Sequence, residues 1–224
     1  MPVDPERLHD EDWLLRKPDD AALAGSGRFV RILELVEALR PARVLDIGCG
    51  SGFLASRIRD RWPTTAIDGV DISAVALERA RPYLDRCWRV DLDRGDVPAG
   101  PAGYDLVIAS EVIEHLYDVH HALGEMARLV APGGHAIVTV PNVAYWRYRL
   151  DLLLGRLPLP ADDDRHLHQF TATSLQDHAR RDGLAVETLS GHGLRFAALA
   201  RHWPAVFSDT LIALFRKTPR APEP

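Results

Sequence analysis

Cysteine is scarce here: Cys49 and Cys87 are the only two in 224 residues. That excludes a disulfide framework and fits a reducing compartment, so a cytoplasmic location is expected. Acids outnumber bases, 32 to 27, for a formal net charge of −5. This balance argues against a general nucleic-acid surface but not against a local basic patch. No apolar run reaches the ~18 residues that a membrane span needs. The acidic start (Asp4, Glu6, Asp10, Glu11, Asp12) is unlike a signal peptide. Lysine is confined to Lys17 and Lys217, which reads as coding bias rather than function. Internal repeats and low-complexity segments are also missing. What remains is ordinary globular usage, 46% hydrophobic and 26% charged, in a chain long enough for one α/β domain with a full core.

Strand and helix patterns alternate. Phe29, Ile32, Leu33, Leu35, Val36 and Leu39 recur at helical spacing and Pro41 stops them. Arg43 to Ile47 reads as the first strand, Phe53 to Pro63 as a helix, and Ala66 to Asp71 as the second strand. Ser73 reads as the N-cap of a helix to about Leu84. Trp88 to Val90 is a short third strand. Tyr104 to Ala109 is a fourth, apolar after Asp105 and so buried on both faces. Val119, Leu123, Met126 and Val130 share a helical face. Pro132-Gly133-Gly134 turns the chain into a fifth strand, His135 to Val140. Trp146 to Leu154 reads as an amphipathic helix, Gly155 to Asp164 as a flexible lid or loop, and a helix follows Thr173 or Ser174. Leu184 to Leu189 and Thr210 to Phe215 are the last strands. Such alternation implies βαβ units and a parallel sheet with its strand ends on one ligand-binding edge.

The most specific stretch is Val44-Leu45-Asp46-Ile47-Gly48-Cys49-Gly50-Ser51-Gly52. A buried strand ends in an acid, and glycines at alternate positions let backbone approach a ligand closely. The spacing is G-x-G-x-G, not the dinucleotide G-x-G-x-x-G, and no Lys stands ready for a phosphate. Asp46 inside the turn favours a cationic ligand. This stretch resembles the S-adenosylmethionine (SAM) loop of class I methyltransferases. The resemblance extends over about Arg43 to Arg181. It implies a doubly wound α/β fold with a mostly parallel, seven-stranded sheet, the last strand antiparallel in an edge hairpin. It also implies a methyltransferase domain over 27–218, an N-terminal extension over 1–26 and a disordered tail over 219–224.

The strand ends supply the other candidates. Asp71 follows the glycine turn by about 20 residues, where a carboxylate accepts ribose hydroxyls. The resemblance makes it the SAM ribose ligand, with Ile72 beside the adenine. Asp91-Leu92 resembles the family's adenine-contacting pair, although Asp93 and Asp96 compete for that part. Ser110 and Glu111 close the fourth strand; in the family they line the sulfonium end.

Glu111, Glu114 and His115 stand at i, i+3 and i+4, one face of a helical turn. Two carboxylates and an imidazole suit Mg²⁺ or Mn²⁺ better than a structural zinc. The E-x-x-E-H pattern also resembles polyprenyl-hydroquinone O-methyltransferases and small-RNA 3′-terminal 2′-O-methyltransferases, in which a later His completes a metal site; His166 or His168 could supply it. Without a metal, Glu111 lines the sulfonium pocket, and His115, His166 or His168 serves as general base. The Arg147 side chain is a further candidate for clamping an acceptor. The P-N-x-x-x-W-R and H-L-x-x-F-T patterns resemble a bacterial small-molecule subgroup linked to glycan and natural-product pathways. The expected activity is methyl transfer from SAM to an oxygen, with nitrogen second, of a small-molecule acceptor. Alternatives are a metal-dependent 2′-O-methyltransferase acting on an RNA 3′ end, and a non-catalytic SAM-binding regulatory partner. Oligomeric state is not legible.

Overall fold

A computed structural model describes residues 5–15, 26–101, 103–192 and 197–218. The tail at 219–224 lies outside the described residues, as does most of the segment joining the N-terminal helix to the domain. Helix α1 spans Pro5–Leu15, α2 Gly27–Leu39, α3 Phe53–Arg61, α4 Ala74–Ala80 and α5 Val119–Leu129. Next come α6 (Trp146–Leu153), the short α7 (Leu159–Asp162), α8 (Ala172–Arg181), α9 (Ala197–His202) and α10 (Pro204–Phe207). The strands are β1 Arg43–Ile47, β2 Ala66–Asp71, β3 Arg86–Arg89, β4 Tyr104–Ser110, β5 Val130–Pro141, β6 Leu184–His192 and β7 Thr210–Lys217.

The seven strands form one sheet in the order β3-β2-β1-β4-β5-β7-β6. The first five pair in parallel, and β7 runs antiparallel between β5 and β6. The expected class I methyltransferase fold is therefore present. Chain order reverses between β1 and β4, so the crevice beyond their C-terminal ends is the topological switch point where such sheets bind ligands. Leu45 and Val107 point into one fully buried apolar layer, and Val44, Leu106 and Ile108 into the other. The central strands are thus covered on both faces, while the edge strands β3 and β6 meet solvent.

Several expected boundaries shift. The α4 helix stops at Ala80 and gives way to a 3-10 turn at Arg81–Tyr83, because Pro82 cannot donate to the helical ladder. Strand β3 begins at Arg86, two residues early. Strand β5 begins at Val130, but its ladder to β4 jumps from Tyr104↔Val130 to Leu106↔His135, so the Pro-Gly-Gly turn loops out within it. The α8 helix starts two residues early because Thr171, not Thr173 or Ser174, forms a capping box with Ser174. The segment expected to be a loop from Gly155 includes α7, and the "extension" includes α1.

Candidate active site

The glycine turn starts with its backbone. Gly48, Gly50 and Gly52 have φ of 67°, 53° and 79°, a region that side chains resist. A Cβ on Gly48 would collide with the Val112 methyl, and one on Gly52 would stand 2.8 Å from the Ala80 Cα. The turn is therefore held between β4's exit and α4, and any residue but glycine would push it open.

Two carboxylates sit beneath it. Asp71 at the end of β2 accepts from the Gly50 amide (2.9 Å) and the Ser73 amide (2.9 Å), which ties the first turn to the second. Burial pushes its pKa above the ordinary carboxylate value. Asp46 is 4% exposed. Burial, then the charge of Asp71, pushes its pKa up to about 7. Two buried acids that pay to be charged make a pocket that gains from a cation.

Helix α1 comes unannounced by the sequence reading and lies on this edge. Asp10 accepts from the Ser73 hydroxyl (2.6 Å) and the Val75 amide (3.3 Å), adding a second cap to α4. Arg89 reaches both Glu6 (3.1 Å) and Asp10 (3.3 Å). The Trp13 ring approaches Gly50, 3.0 Å from where a Cβ would be. None of the helix's residues is fully buried, so it is seated by polar bonds and by Trp13, which meets Gly50 and lies under the Arg79 guanidinium, 5.8 Å from the ring centroid.

Beyond β3, Asp91 accepts from the Asp93 amide (3.0 Å) and pairs with Arg94 (3.3 Å), and Leu92 is buried beside it. Asp93 is engaged elsewhere, accepting from the Tyr117 and Asp118 amides. Asp96 stands 3.5 Å from His121. Ile72 offers its carbonyl to Arg89 (2.9 Å).

The β4 exit departs from expectation. Glu111 has φ +57°, an uncommon value for a non-glycine residue, and precedes the 3-10 turn Ile113–His115. Glu111, Glu114 and His115 therefore do not share one helical face. Glu111 turns to Arg28 on α2 (3.1 Å) and accepts from the Thr139 hydroxyl (3.2 Å), which also meets Ser110 (3.0 Å). Arg28 was missed in the sequence, where an arginine in a helix ahead of β1 carries no signal. Its Nε is buried with no hydrogen-bond partner. Burial raises the Glu111 pKa, against the opposing pull of Arg28.

Glu114, His115 and His166 converge, with their ligand-type atoms within 4.8 Å of one another. Glu111 is not in this group, so the expected four-ligand set is reduced. His168 is not in it either: its Nε2 faces the Tyr117 carbonyl at 3.3 Å. Glu114 is 1% exposed, and neither of its carboxylate oxygens has a hydrogen-bond partner. Contrast Asp68, equally buried but saturated by the Tyr104 hydroxyl (2.7 Å) and Arg86 (2.6 Å). Burial, then the charge of Glu111, lifts the Glu114 pKa well above the ordinary value. His115 Nδ1 meets the Arg165 carbonyl (3.0 Å) and His166 Nδ1 the Pro160 carbonyl (2.9 Å). A carbonyl only accepts, so each ring donates from Nδ1; His115 in its neutral form then presents an Nε2 lone pair, while the His166 Nε2 stands 4.0 Å from the Asp163 carboxylate. Burial lowers the His115 pKa, which keeps that lone pair free near neutrality. Two basic nitrogens and one uncompensated carboxylate can take a proton or a divalent cation.

Arg147 is exposed, and Arg149 is spent on the Ala144 carbonyl (2.7 Å). A cavity of about 380 Å³ adjoins His166, lined also by Pro141, Tyr148, Leu159 and Pro160 and by the polar Asp162, Asp163, Asp209 and Thr210. Among the described residues, no helix is long and apolar enough to cross a membrane.

Comparison with known proteins agrees with this geometry. Residues 26–189 match the family profile described as a methyltransferase domain. The chain is 31% identical over 211 residues to the trans-aconitate 2-methyltransferase of Azoarcus sp., covering 83% of this chain and 80% of that protein. It is 35% identical over 109 residues to the malonyl-[acyl-carrier protein] O-methyltransferase of Geobacter sulfurreducens, which is 46% of this chain but only 41% of that protein. The structure of the N-methyltransferase NodS of Bradyrhizobium japonicum, in complex with S-adenosylhomocysteine, superposes with a TM-score of 0.61 at 20% identity, over 98% of this chain and all (100%) of that one.

Proposed function

Since this chain belongs to the family of SAM-dependent methyltransferases, we propose that it transfers the methyl group to an oxygen of a small-molecule acceptor, with an imidazole of the His115–His166 pair as general base. The observation that carries this reading is that pair: two rings with centroids 4.8 Å apart, each with Nδ1 bound to a carbonyl, and the His166 Nε2 4.0 Å from the Asp163 carboxylate.

The residues around the glycine turn fit SAM. The cradle at Gly48 has no room for a Cβ. Asp46 and Asp71 offer negative charge to a sulfonium and an ammonium, and Asp71 retains lone pairs for ribose hydroxyls. Ile72, Asp91 and Leu92 stand at the ends of β2 and β3, where the adenine would lie. The unpartnered Nε of Arg28 suits the cofactor's carboxylate, with Glu111 and Ser110 completing that end. When bound, SAM supplies an electrophilic methyl on a positively charged sulfur. The chain's own work is to hold the acceptor oxygen in line with that methyl, a positioning effect that can contribute roughly 7–11 kcal/mol. An Nε2 would take the hydroxyl proton as the O–CH3 bond forms and the S–CH3 bond breaks, with S-adenosylhomocysteine the leaving group.

A second reading is favoured by Glu114. An uncompensated buried carboxylate beside two imidazole nitrogens fits Mg²⁺ or Mn²⁺, which would be held by Glu114, His115 and His166 and would lower the acceptor hydroxyl's pKa. The two readings separate cleanly. Isothermal titration should show SAM binding; its absence at millimolar SAM sinks both. With a base alone, S-adenosylhomocysteine formation should survive EDTA, and the rate should rise with pH through a value below the usual imidazole value near ~6.5, because burial depresses His115. With a metal, EDTA should abolish turnover, and Mn²⁺ seen by electron paramagnetic resonance should bind the wild type but not Glu114→Ala. An RNA 3′ end as acceptor is the competing result of the same assay, checked with a blocked 2′-hydroxyl control. A non-catalytic SAM-binding partner would bind SAM and never form S-adenosylhomocysteine.

A further inference from the structure

Ten residues after β5's exit carry an apolar surface that the reaction as described does not use. Leu150, Leu152, Leu153, Leu154, Leu157 and Leu159 are all exposed, from 47% at Leu150 to 82% at Leu153. Single exposed leucines are ordinary, but six within ten positions form a patch of the kind that marks a ligand or interaction surface.

The patch meets the cavity at His166 through Leu159. Tyr148 lines that cavity, and Leu152 stands at i+4 from it on α6, one turn further along the same face. Leu159 lines the cavity and is 74% exposed, so it belongs to both wall and outer surface. Pro141 and Pro160 extend the apolar side of the wall inward to His166, in a cavity that Asp162, Asp163, Asp209 and Thr210 also line. The apolar side of the cavity therefore joins His166 to the outer leucines at Leu159.

We infer that the acceptor is an amphiphile. Its hydroxyl-bearing head sits at His115 and His166, and its hydrocarbon tail runs out between Leu152 and Leu159 onto Leu153 and Leu157. This rests on the reading of the histidines as the acceptor end. The charges of this segment favour a tail over an anionic bilayer. Arg147, Arg149, Arg156 and Arg165 are matched by Asp151, Asp162, Asp163 and Asp164, so the patch holds no net positive charge to draw it to a membrane. A protein partner laid on the outer leucines would leave the cavity between Tyr148 and Leu159 unfilled; a tail fills both.

The test uses neutral probes that share one fluorophore, N-dodecyl dansylamide and N-methyl dansylamide, with the whole chain saturated in S-adenosylhomocysteine. The dodecyl probe should bind at least tenfold more tightly than the methyl probe, since each buried methylene strengthens binding by up to roughly fourfold. In Leu152→Glu/Leu159→Glu the dodecyl probe should weaken by tenfold or more, while SAM affinity by titration stays as in the wild type; both substituted side chains are largely exposed, so the fold is kept. Equal binding of the two probes, or a dodecyl affinity untouched by the double substitution, overturns the inference. So does leucine-dependent flotation with phosphatidylcholine vesicles in the absence of probe binding, which would make the patch a membrane surface. Loss of SAM binding in the wild type instead overturns the methyl-transfer reading itself, and the two failures are told apart by the titration.

Discussion

Asp46 is where a single side chain joins stability to ligand binding. Its carboxyl titrates near pH 7 in the cofactor-free fold, far above its ordinary 3.8, because burial and Asp71 penalise the charge. The folded state thus favours the protonated form. Its contribution to stability is full below the ordinary carboxylate value, falls as pH rises, and is lost above about pH 7. Asp46→Asn should therefore raise the melting temperature of the cofactor-free protein at pH 8 and leave it nearly unchanged at acid pH. A cationic cofactor reverses the preference and favours the carboxylate. SAM affinity should fall as pH drops below 7, by at most about tenfold per unit from this one group, and the Asn variant should lack this group's share of the slope. Wild-type affinity that is flat across this range would show that Asp46 is not beside the positive charge. Asp71→Ala should cost about 1.5–3 kcal/mol of SAM binding, the usual worth of hydrogen bonds to a charged group. An unchanged dissociation constant would move the ribose contact elsewhere.

At the scale of elements, the parallel core was legible because each strand there is short, apolar and closed by a turn residue. The run Val44 to Ile47 followed by alternate glycines could hardly be anything but a buried strand entering a tight turn. The E-x-x-E-H pattern misled. Spacing of i, i+3 and i+4 assumes a helix, whereas the chain leaves β4 through Glu111 at φ +57° and makes only a single 3-10 turn, so Glu111 pairs with Arg28 and stays out of the Glu114–His115–His166 group. The choice between His166 and His168 was equally beyond spacing, since the Pro160 and Tyr117 carbonyls that orient the two rings lie on other segments. Helix α1 was invisible for a different reason. With no residue fully buried it shows no apolar stripe, and its role is read only from what it touches. That role is testable. If α1 roofs the cofactor, Trp13→Ala should weaken SAM binding by about 1–2 kcal/mol, the range for an aromatic face beside a cationic group. Leu14→Ala, at a position 67% exposed, should change nothing. Tighter binding in Trp13→Ala would mean that the ring occupies the slot instead of covering it.

Over the whole molecule, the glycine-turn edge and the segment carrying His166 meet through that helix. Asp12 on α1 lies 3.9 Å from Arg165, and Arg165 both grips Asp163 (2.8 Å) and gives its carbonyl to His115 (3.0 Å). If α1 seats over a bound cofactor, the same contact would also tie the segment that carries His166 to the cofactor edge. Cofactor binding alone stabilises the fold by mass action, about 2.7 kcal/mol when the ligand is at a hundred times its dissociation constant. For a domain of this size that is a rise of roughly 5–11 °C in melting temperature. The linkage predicts something more local. Trypsin cleaves after exposed arginines, and Arg156 lies in the exposed stretch between α6 and α7. Saturating S-adenosylhomocysteine should slow cleavage at Arg156, and Asp12→Ala should reduce that protection while leaving most of the rise in melting temperature. Protection at Arg156 that is identical in the wild type and Asp12→Ala would show that the cofactor edge and the acceptor segment respond independently.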